Sequence, residues 1–437
     1  MNRNAARSLV ALAVLACGNG TPELAPGGLG LPEVMSTETG HGATPMLALW
    51  PGGGSVLSWV TSDSGPSALH VRVEEVGGRI VRSHLIDPLG GIEPHGEAPP
   101  QVVVGPDSTL YALYTVGKDV GERYPASALR FAGSTDGGRS WSEPVTVNEG
   151  PAFGAHSFHA ITAGNGTDVY ATWLNNDPTE GGVWFRHSPD QGRTWEPARR
   201  IVAGPACPCC RTAVAVASTG RIHVAWRGIS ETSVRDIQVI HSDDQGVSWS
   251  APVSPRADGW VFNGCPHAGP SLRVDAKDQV HIGWWTGATS GPGVWYARSV
   301  DGGERWSAQP IDTATGAPVS HVQLAVRHGE IAVAWEGGRG PLPAIFLRHS
   351  LDDGVRFSPA EQLSTDGVAA TFPVLGLYGD SVLVAWTQVG DSAYRALLEH
   401  NREPEGADER MALPRVGEQE IIARRGILDD QPPKEER

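Results

Sequence analysis

Five segments of this chain read to one template: STDGGRSW (134–141), SPDQGRTW (188–195), SDDQGVSW (242–249), SVDGGERW (299–306) and SLDDGVRF (350–357). Each is Ser-x-Asp-x-Gly-x-x-aromatic, and each fixed position has a mechanical meaning. The Asp carboxylate accepts N–H groups of its own turn, the Gly permits positive φ, and the aromatic packs between neighbouring sheets. One match arises by chance. Five in register specify a repeated unit that must stack on its neighbours to bury its apolar face.

Three strand-like runs precede each box. Before the fourth they are SLRVDA, QVHIGWW and GVWYARS, and SAQPID follows as the outer strand. This is a four-stranded antiparallel blade. The second strand of each unit ends in an aromatic: Trp59, Tyr114, Trp173, Trp226, Trp284, Trp335 and Trp386. The expected fold is therefore all-β, a seven-bladed β-propeller of four-stranded antiparallel blades with Asp boxes. The first and last blades lack a box, which leaves a six-bladed ring as the alternative. Residues 32–47 match 360–375 in kind and spacing, so residues 32–37 are expected to complete the seventh blade beside the strand containing Tyr394. Such a clasp removes the open edges of the ring.

The termini differ in character. Arg3 and Arg7 followed by apolar Leu9–Ala16 read as a secretion signal too short to span a membrane. Val14-Leu15-Ala16-Cys17 resembles the bacterial lipobox, which implies lipidation of Cys17 after cleavage. The expected organisation is a lipoprotein signal peptide over 1–17, a flexible tether over 18–30 and the propeller over 31–400. Residues 401–437 carry 17 charged residues and no aromatic, and read as a solvated, disordered tail. The protein is expected to be exported and lipid-anchored to the bacterial membrane, with Gly18 fitting outer-membrane sorting, and to be a monomer that meets the membrane through its anchor only. The net charge of −15 argues against nucleic acid as a partner, because phosphate binding needs clustered Lys and Arg. It leaves room for an anionic small molecule held by a few arginines in a cavity.

Asp boxes in a propeller resemble the sialidase superfamily of BNR-repeat proteins, over roughly residues 44–400. The resemblance implies architecture more than activity, since the boxes lie in turns away from the catalytic face. A sialidase needs an arginine triad for the substrate carboxylate, a Tyr nucleophile with a Glu partner, and an Asp acid/base. Where the first arginine belongs this chain reads Ala-Thr-Pro-Met-Leu (43–47). Arg211 and Arg227 stand as triad candidates, and Tyr394 is the late-blade tyrosine. The resemblance thus implies a sialidase-like propeller that is not a true sialidase, with a glycosidase of divergent catalytic set as an alternative function. A surface scaffold for protein or polysaccharide is the third.

The loops leading into the first strands, and those joining second to third strands, line one face around the axis. Here they hold an unusual composition. His95 lies before the second blade, His156 and His159 before the third, Cys207, Cys209, Cys210 and Arg211 before the fourth, Cys265 and His267 before the fifth, and His321 before the sixth. The ends of second strands add Asn175, Arg227, Trp285 and Glu336. Ligand-binding candidates are Arg211, Arg227, Asn175, Trp285, Glu336, His95 and His321; soft-metal candidates are Cys207, Cys209, Cys210, Cys265, His267, His156 and His159. The expected ligand is a small molecule, a glycan or a metal. For the cysteines three readings stay open: disulfides, such as Cys207 or Cys210 with Cys265, or a vicinal Cys209–Cys210 bond; a thiolate/imidazole site for copper; and a redox-active thiol pair.

Overall fold

The structure is a computed structural model, and it describes residues 28–37, 39, 41–50, 52–61, 66–118, 126–313, 321–338, 342–379, 381–390, 394 and 419–428. Seven antiparallel sheets stand around one axis, which excludes the six-bladed alternative. Their first strands touch in succession, from Ala43–Leu49 through Gln101–Val104, His156–Ala163, Ala213–Val216, Ser271–Val274, Val322–Arg327 and Val368–Tyr378, and the last returns to the first. Among the described residues the apolar core is divided into seven clusters, one between each neighbouring pair of blades. All seven second-strand aromatics lie in these layers, none more than 4% exposed. Each blade is stabilised by the two faces of its neighbours, which is why the repeat needs a closed ring.

Closure departs from the sequence expectation. Blade seven pairs Val368–Tyr378 with Ser381–Gly390, and its third strand is Glu420–Ile427. Residues 420–427 therefore belong to the ring and not to a solvated tail, and the propeller extends past residue 400. Their charge disguised them: Ile421, Ile422 and Ala423 are buried, while the Arg424 guanidinium donates to the carbonyls of Leu29, Gly30 and Leu363 and Arg425 pairs with Glu74. Gly28–Leu29, from the expected tether, and Glu33–Val34 both pair with this strand. The N-terminal clasp thus completes the seventh blade as expected, but beside residues 420–427 and not beside Tyr394. Cys17, the rest of the signal and tether, and the remainder of the C-terminal segment lie outside the described residues. No described helix is long and apolar enough to cross a membrane. Blade four is the other departure. Its three strands end in a single outer bridge, where Val239 and Val253 exchange N–H···O=C bonds of 2.9 Å.

Strand register fixes which end of each blade is which. In blade three, His156 pairs with Asn175 and Asn175 with Gly182 at one end, while Val169 pairs with Ser188 at the other. The Asp box begins at Ser188, so the boxes and the first-strand approaches occupy opposite faces. Within each box the labour is divided. Asp190 Oδ1 accepts the Thr194 N–H at 2.7 Å and the Ser188 hydroxyl at 3.0 Å, at an exposed turn. The buried donor is the Gly192 N–H, which bonds Ser188 Oγ at 2.7 Å. Gly192 has φ 82° and sits beneath Phe131, where an added Cβ would come within 2.1 Å of the ring. The box Trp195 meets the same Phe131 edge-on at 5.3 Å. Serine, glycine and aromatic thus dock one blade on the previous one, while the aspartate shapes the exposed turn.

The serine should therefore matter more than the aspartate that names the motif. Ser188→Ala strands a buried N–H and is expected to destabilise by about 1–3 kcal/mol, while Asp190→Ala, which frees groups to water, costs less. Chemical denaturation of both variants checks the order; a larger loss for Asp190→Ala would contradict it.

Candidate functional site

The face opposite the boxes is organised by one carboxylate. Glu97, in the loop leading into blade two, is 1% exposed. Its Oε1 accepts the N–H of Arg211 at 3.0 Å and that of Gly269; its Oε2 accepts the Arg211 guanidinium at 2.8 Å and faces His321 Nε2 at 3.3 Å. Arg211 follows Cys210, and Gly269 lies two residues after His267. A single side chain therefore clamps both cysteine-bearing loops. His321 in turn pairs Nδ1 with Glu336 at 2.8 Å, and the Phe372 N–H closes the network on Glu336 at 2.9 Å.

The charges are balanced by position. Burial alone would push Glu97 up, but the Arg211 charge and the His321 contact outweigh it and hold the carboxyl near 2. Burial likewise opposes charge on His321, yet the Glu336 and Glu97 carboxylates raise the imidazole to about 9. His95 behaves oppositely: burial, with the nearby His267 charge, lowers it to about 4. It stays neutral, and its Nδ1 accepts the N–H groups of Glu97 and Ala98, both at 3.2 Å. Sequence reasoning named Arg211, His321, Glu336 and His95 but missed Glu97, although it stands two residues after His95 in HGEAPP.

Beside this network the cysteines converge. The Sγ atoms of Cys207, Cys209 and Cys210 lie within 4.8 Å of one another, and so do the ligand atoms of Cys209, Cys265 and His267. None of the four described cysteines is joined in a disulfide, so the disulfide expectation is not realised among the described residues; Cys207 and Cys209 sulfurs stand 3.7 Å apart. The loop is held by backbone bonds, Cys207 N–H to the Arg227 carbonyl at 2.8 Å and Thr212 N–H to the Phe158 carbonyl at 3.0 Å. Burial raises the Cys207 thiol, but hydrogen bonds from Cys209 and Cys210 and the Arg227 charge outweigh it and hold it below its usual range. The Arg235 guanidinium, 3.3 Å from its sulfur, adds a donor that the sequence did not flag. Cys209 and Cys210 are raised, the first by its hydrogen bonds to Cys207 and Cys210, the second by burial.

Several candidates have other duties. Arg227 is fully buried and donates to the carbonyls of Ala268, Arg235 and Trp285 at 2.6–3.0 Å, so its guanidinium is spent on backbone and is not a ligand contact. Trp285 packs edge-on against Trp260 at 5.1 Å in the apolar layer between blades five and six. Asn175 Oδ1 caps its own turn by accepting the Asp177 N–H at 3.0 Å. His159 is buried with Nε2 on the Leu113 carbonyl at 3.0 Å, and burial keeps it near 4. His156 is buried with Nδ1 unbonded, and burial lowers it. Neither His156 nor His159 belongs to the converging groups among the described residues. The first strand of blade three bulges between Ser157 and Ala160, with Phe158 at φ 54°, and it is Phe158 that packs against His95 and His267.

The residues that would meet the sialidase requirements are otherwise engaged. The stretch Ala43–Leu47, where the first arginine belongs, holds none, and the Thr44 N–H bonds Thr387 Oγ1 at 3.2 Å. The Arg211 guanidinium donates to Glu97 and to the Val322 carbonyl. Tyr394 does lie near Glu336: burial raises its phenol, with the carboxylate adding to the shift. A shallow cleft over the network is lined by Thr44, Gly96, Arg211, His321, Gln323 and Phe372.

The BNR repeat-like domain family matches residues 93–252 of the chain. No curated protein sequence matches it. Among solved structures, a PL25 ulvan lyase is 15% identical, with 79% of this chain and 91% of that one covered at a TM-score of 0.52. The polysaccharide lyase Uly1 is 11% identical, with 89% and 90% covered at 0.51. A protein of unknown function from Dyadobacter fermentans DSM 18053 is 18% identical, with 92% and 100% covered at 0.49. At these identities the likeness establishes the fold alone.

The network makes stability depend on pH. His321 is raised from 6.5 to about 9, so its contribution is complete below 6.5 and lost as pH rises through 9. Glu97 is lowered from 4.5 to about 2, so its contribution is complete above 4.5 and lost as pH falls toward 2. The melting temperature should form a plateau from about pH 4.5 to 6.5 and decline on both sides. In His321→Gln the decline between pH 6.5 and 9 should flatten; an unchanged alkaline limb would remove His321 from the account.

Proposed function

We propose that this seven-bladed β-propeller, whose residues 93–252 match the BNR repeat-like domain, binds a soft metal ion, copper(I), at the Cys/His cluster on its axial face. The observation that carries the reading is the convergence of Cys207, Cys209, Cys210, Cys265 and His267 from two loops, with no disulfide among the four cysteines. Soft sulfur and imidazole donors select copper or zinc over hard cations. Arg227 and Arg235 offset the negative charge that thiolates bring into a buried site. Glu97 contributes from outside the ligand set, holding both ligand loops at fixed separation through the Arg211 and Gly269 N–H groups. Metal binding here needs no catalysis.

Anaerobic titration of the reduced protein against a chromogenic copper(I) chelator, with zinc in parallel, tests the reading. One copper(I) per chain is expected. Cys209→Ser removes the residue common to both converging groups and should weaken binding at least about 100-fold, the upper range seen when a site loses supporting contacts. Equal affinity in the variant, or no uptake by the native protein, refutes the site.

Export and lipidation at Cys17 belong to the same proposal, on the lipobox-like Val14-Leu15-Ala16-Cys17. Mass spectrometry of the membrane-bound protein should find a diacylated N-terminal Cys17; a soluble chain starting elsewhere would refute the anchor. A second reading is glycan binding or cleavage, favoured by the electrostatic proximity of Tyr394 to Glu336. A PL25 ulvan lyase of similar fold has been solved bound to -[GlcA(1-4)Rha3S]-, which makes uronate-bearing polysaccharides the natural probes. The pairing of Arg211 with Glu97 and the backbone bonds of the buried Arg227 weigh against this reading, since both guanidinium groups are already engaged by protein acceptors.

A further inference from the structure

Resting on copper(I) binding at this face, we propose that the cluster is two overlapping metal positions sharing Cys209: a buried resting position of Cys207, Cys209 and Cys210, and an accessible exchange position of Cys209, Cys265 and His267 through which the ion arrives and leaves. The five ligand atoms do not form one mutually close set. They form two triads, each within 4.8 Å, with Cys209 in both. At a metal–sulfur bond of about 2.3 Å, three trigonal sulfurs stand about 4.0 Å apart, so each triad suits one three-coordinate ion with little adjustment.

The triads differ in access. Cys207, Cys209 and Cys210 are 0%, 4% and 1% exposed and pack in the apolar layer between blades three and four. Cys265 is exposed and His267 half-buried, on the loop leading into blade five. An ion held by the first triad alone has no open path to solution. Cys209 supplies one, because it stays bound while the other ligands change. As the ion moves outward, Cys265 gives up its thiol proton on binding, His267 binds through a neutral nitrogen, the departing Cys210 sulfur takes up that one proton, and Cys207 stays a thiolate beside the Arg235 guanidinium. Copper remains copper(I) throughout, and no electron is transferred. Glu97 fixes the two loops against each other from the far side through the N–H groups of Arg211 and Gly269, so the handover occurs between fixed positions.

The folded full chain allows a test that no folding defect can confound. The native protein is loaded with one copper(I) under anaerobic conditions, treated with iodoacetamide, and mapped by mass spectrometry. Release to a chelator is then timed by stopped flow, with untreated loaded protein alongside. The proposal expects Cys265 to be alkylated in the loaded protein, Cys207, Cys209 and Cys210 to be protected, and release to slow at least tenfold after alkylation. Protection of Cys265 would show that the resting ion already uses it, and would overturn the two-position arrangement. Alkylation of the buried three in the loaded protein, or an unchanged release rate, would overturn it as well. Failure of the native protein to take up copper(I) at all is a separate outcome that removes the underlying reading of the site. Cys265→Ser should reproduce the slowed release; faster release in that variant would also contradict the exchange role.

Discussion

The axial face depends on a buried carboxylate that has been given enough partners. Glu97 accepts two backbone N–H groups and one guanidinium and faces a protonated imidazole. A carboxylate taken from water without such partners loses several kcal/mol, and removing one partner of a buried pair typically costs about 3–5 kcal/mol. The four donors come from blades four, five and six, while Glu97 itself precedes blade two. Satisfying one charge therefore brings loops from across the ring to a common point. What binds at the face binds between loops whose separation that point sets.

The opposite face solves a different problem. Each blade must dock on the previous one, and the boxes do this with a serine hydroxyl on a buried glycine N–H and an aromatic against the neighbouring third strand. Because strands alternate direction, this docking machinery stands at the far ends of the same strands whose near ends carry the cysteines. The face that closes the blades together and the face that carries the cysteines are thus free to vary separately, which is how one architecture serves unrelated chemistries.

The ring was legible because its signals are local. The five boxes and seven second-strand aromatics each report a contact made within one blade or with the next, and all seven aromatics sit where the spacing places them. The closing strand was not legible. Glu420–Ile427 is distant in sequence from its partner Ser381–Gly390, has no aromatic, and presents Arg424 and Arg425, whose carbonyl and Glu74 partners cannot be seen in one dimension. In the site, convergence of the two cysteine loops followed from blade order, since adjacent first strands must approach the axis together. Which polar residues would be spent on backbone did not follow. Arg227 and Asn175 look like ligand contacts in sequence and serve carbonyls and turns in the structure, while Glu97 looks like a loop acid and organises the face.

These features join in one account: a closed ring positions two loops, a buried carboxylate fixes their separation, and the thiols they carry converge where we propose a soft ion binds. The direct measurement is X-ray absorption at the copper edge on the loaded, reduced full chain. The account predicts a copper(I) edge and a first shell dominated by about three sulfur neighbours, the donor type that soft sites select. A first shell of nitrogen and oxygen alone would contradict it.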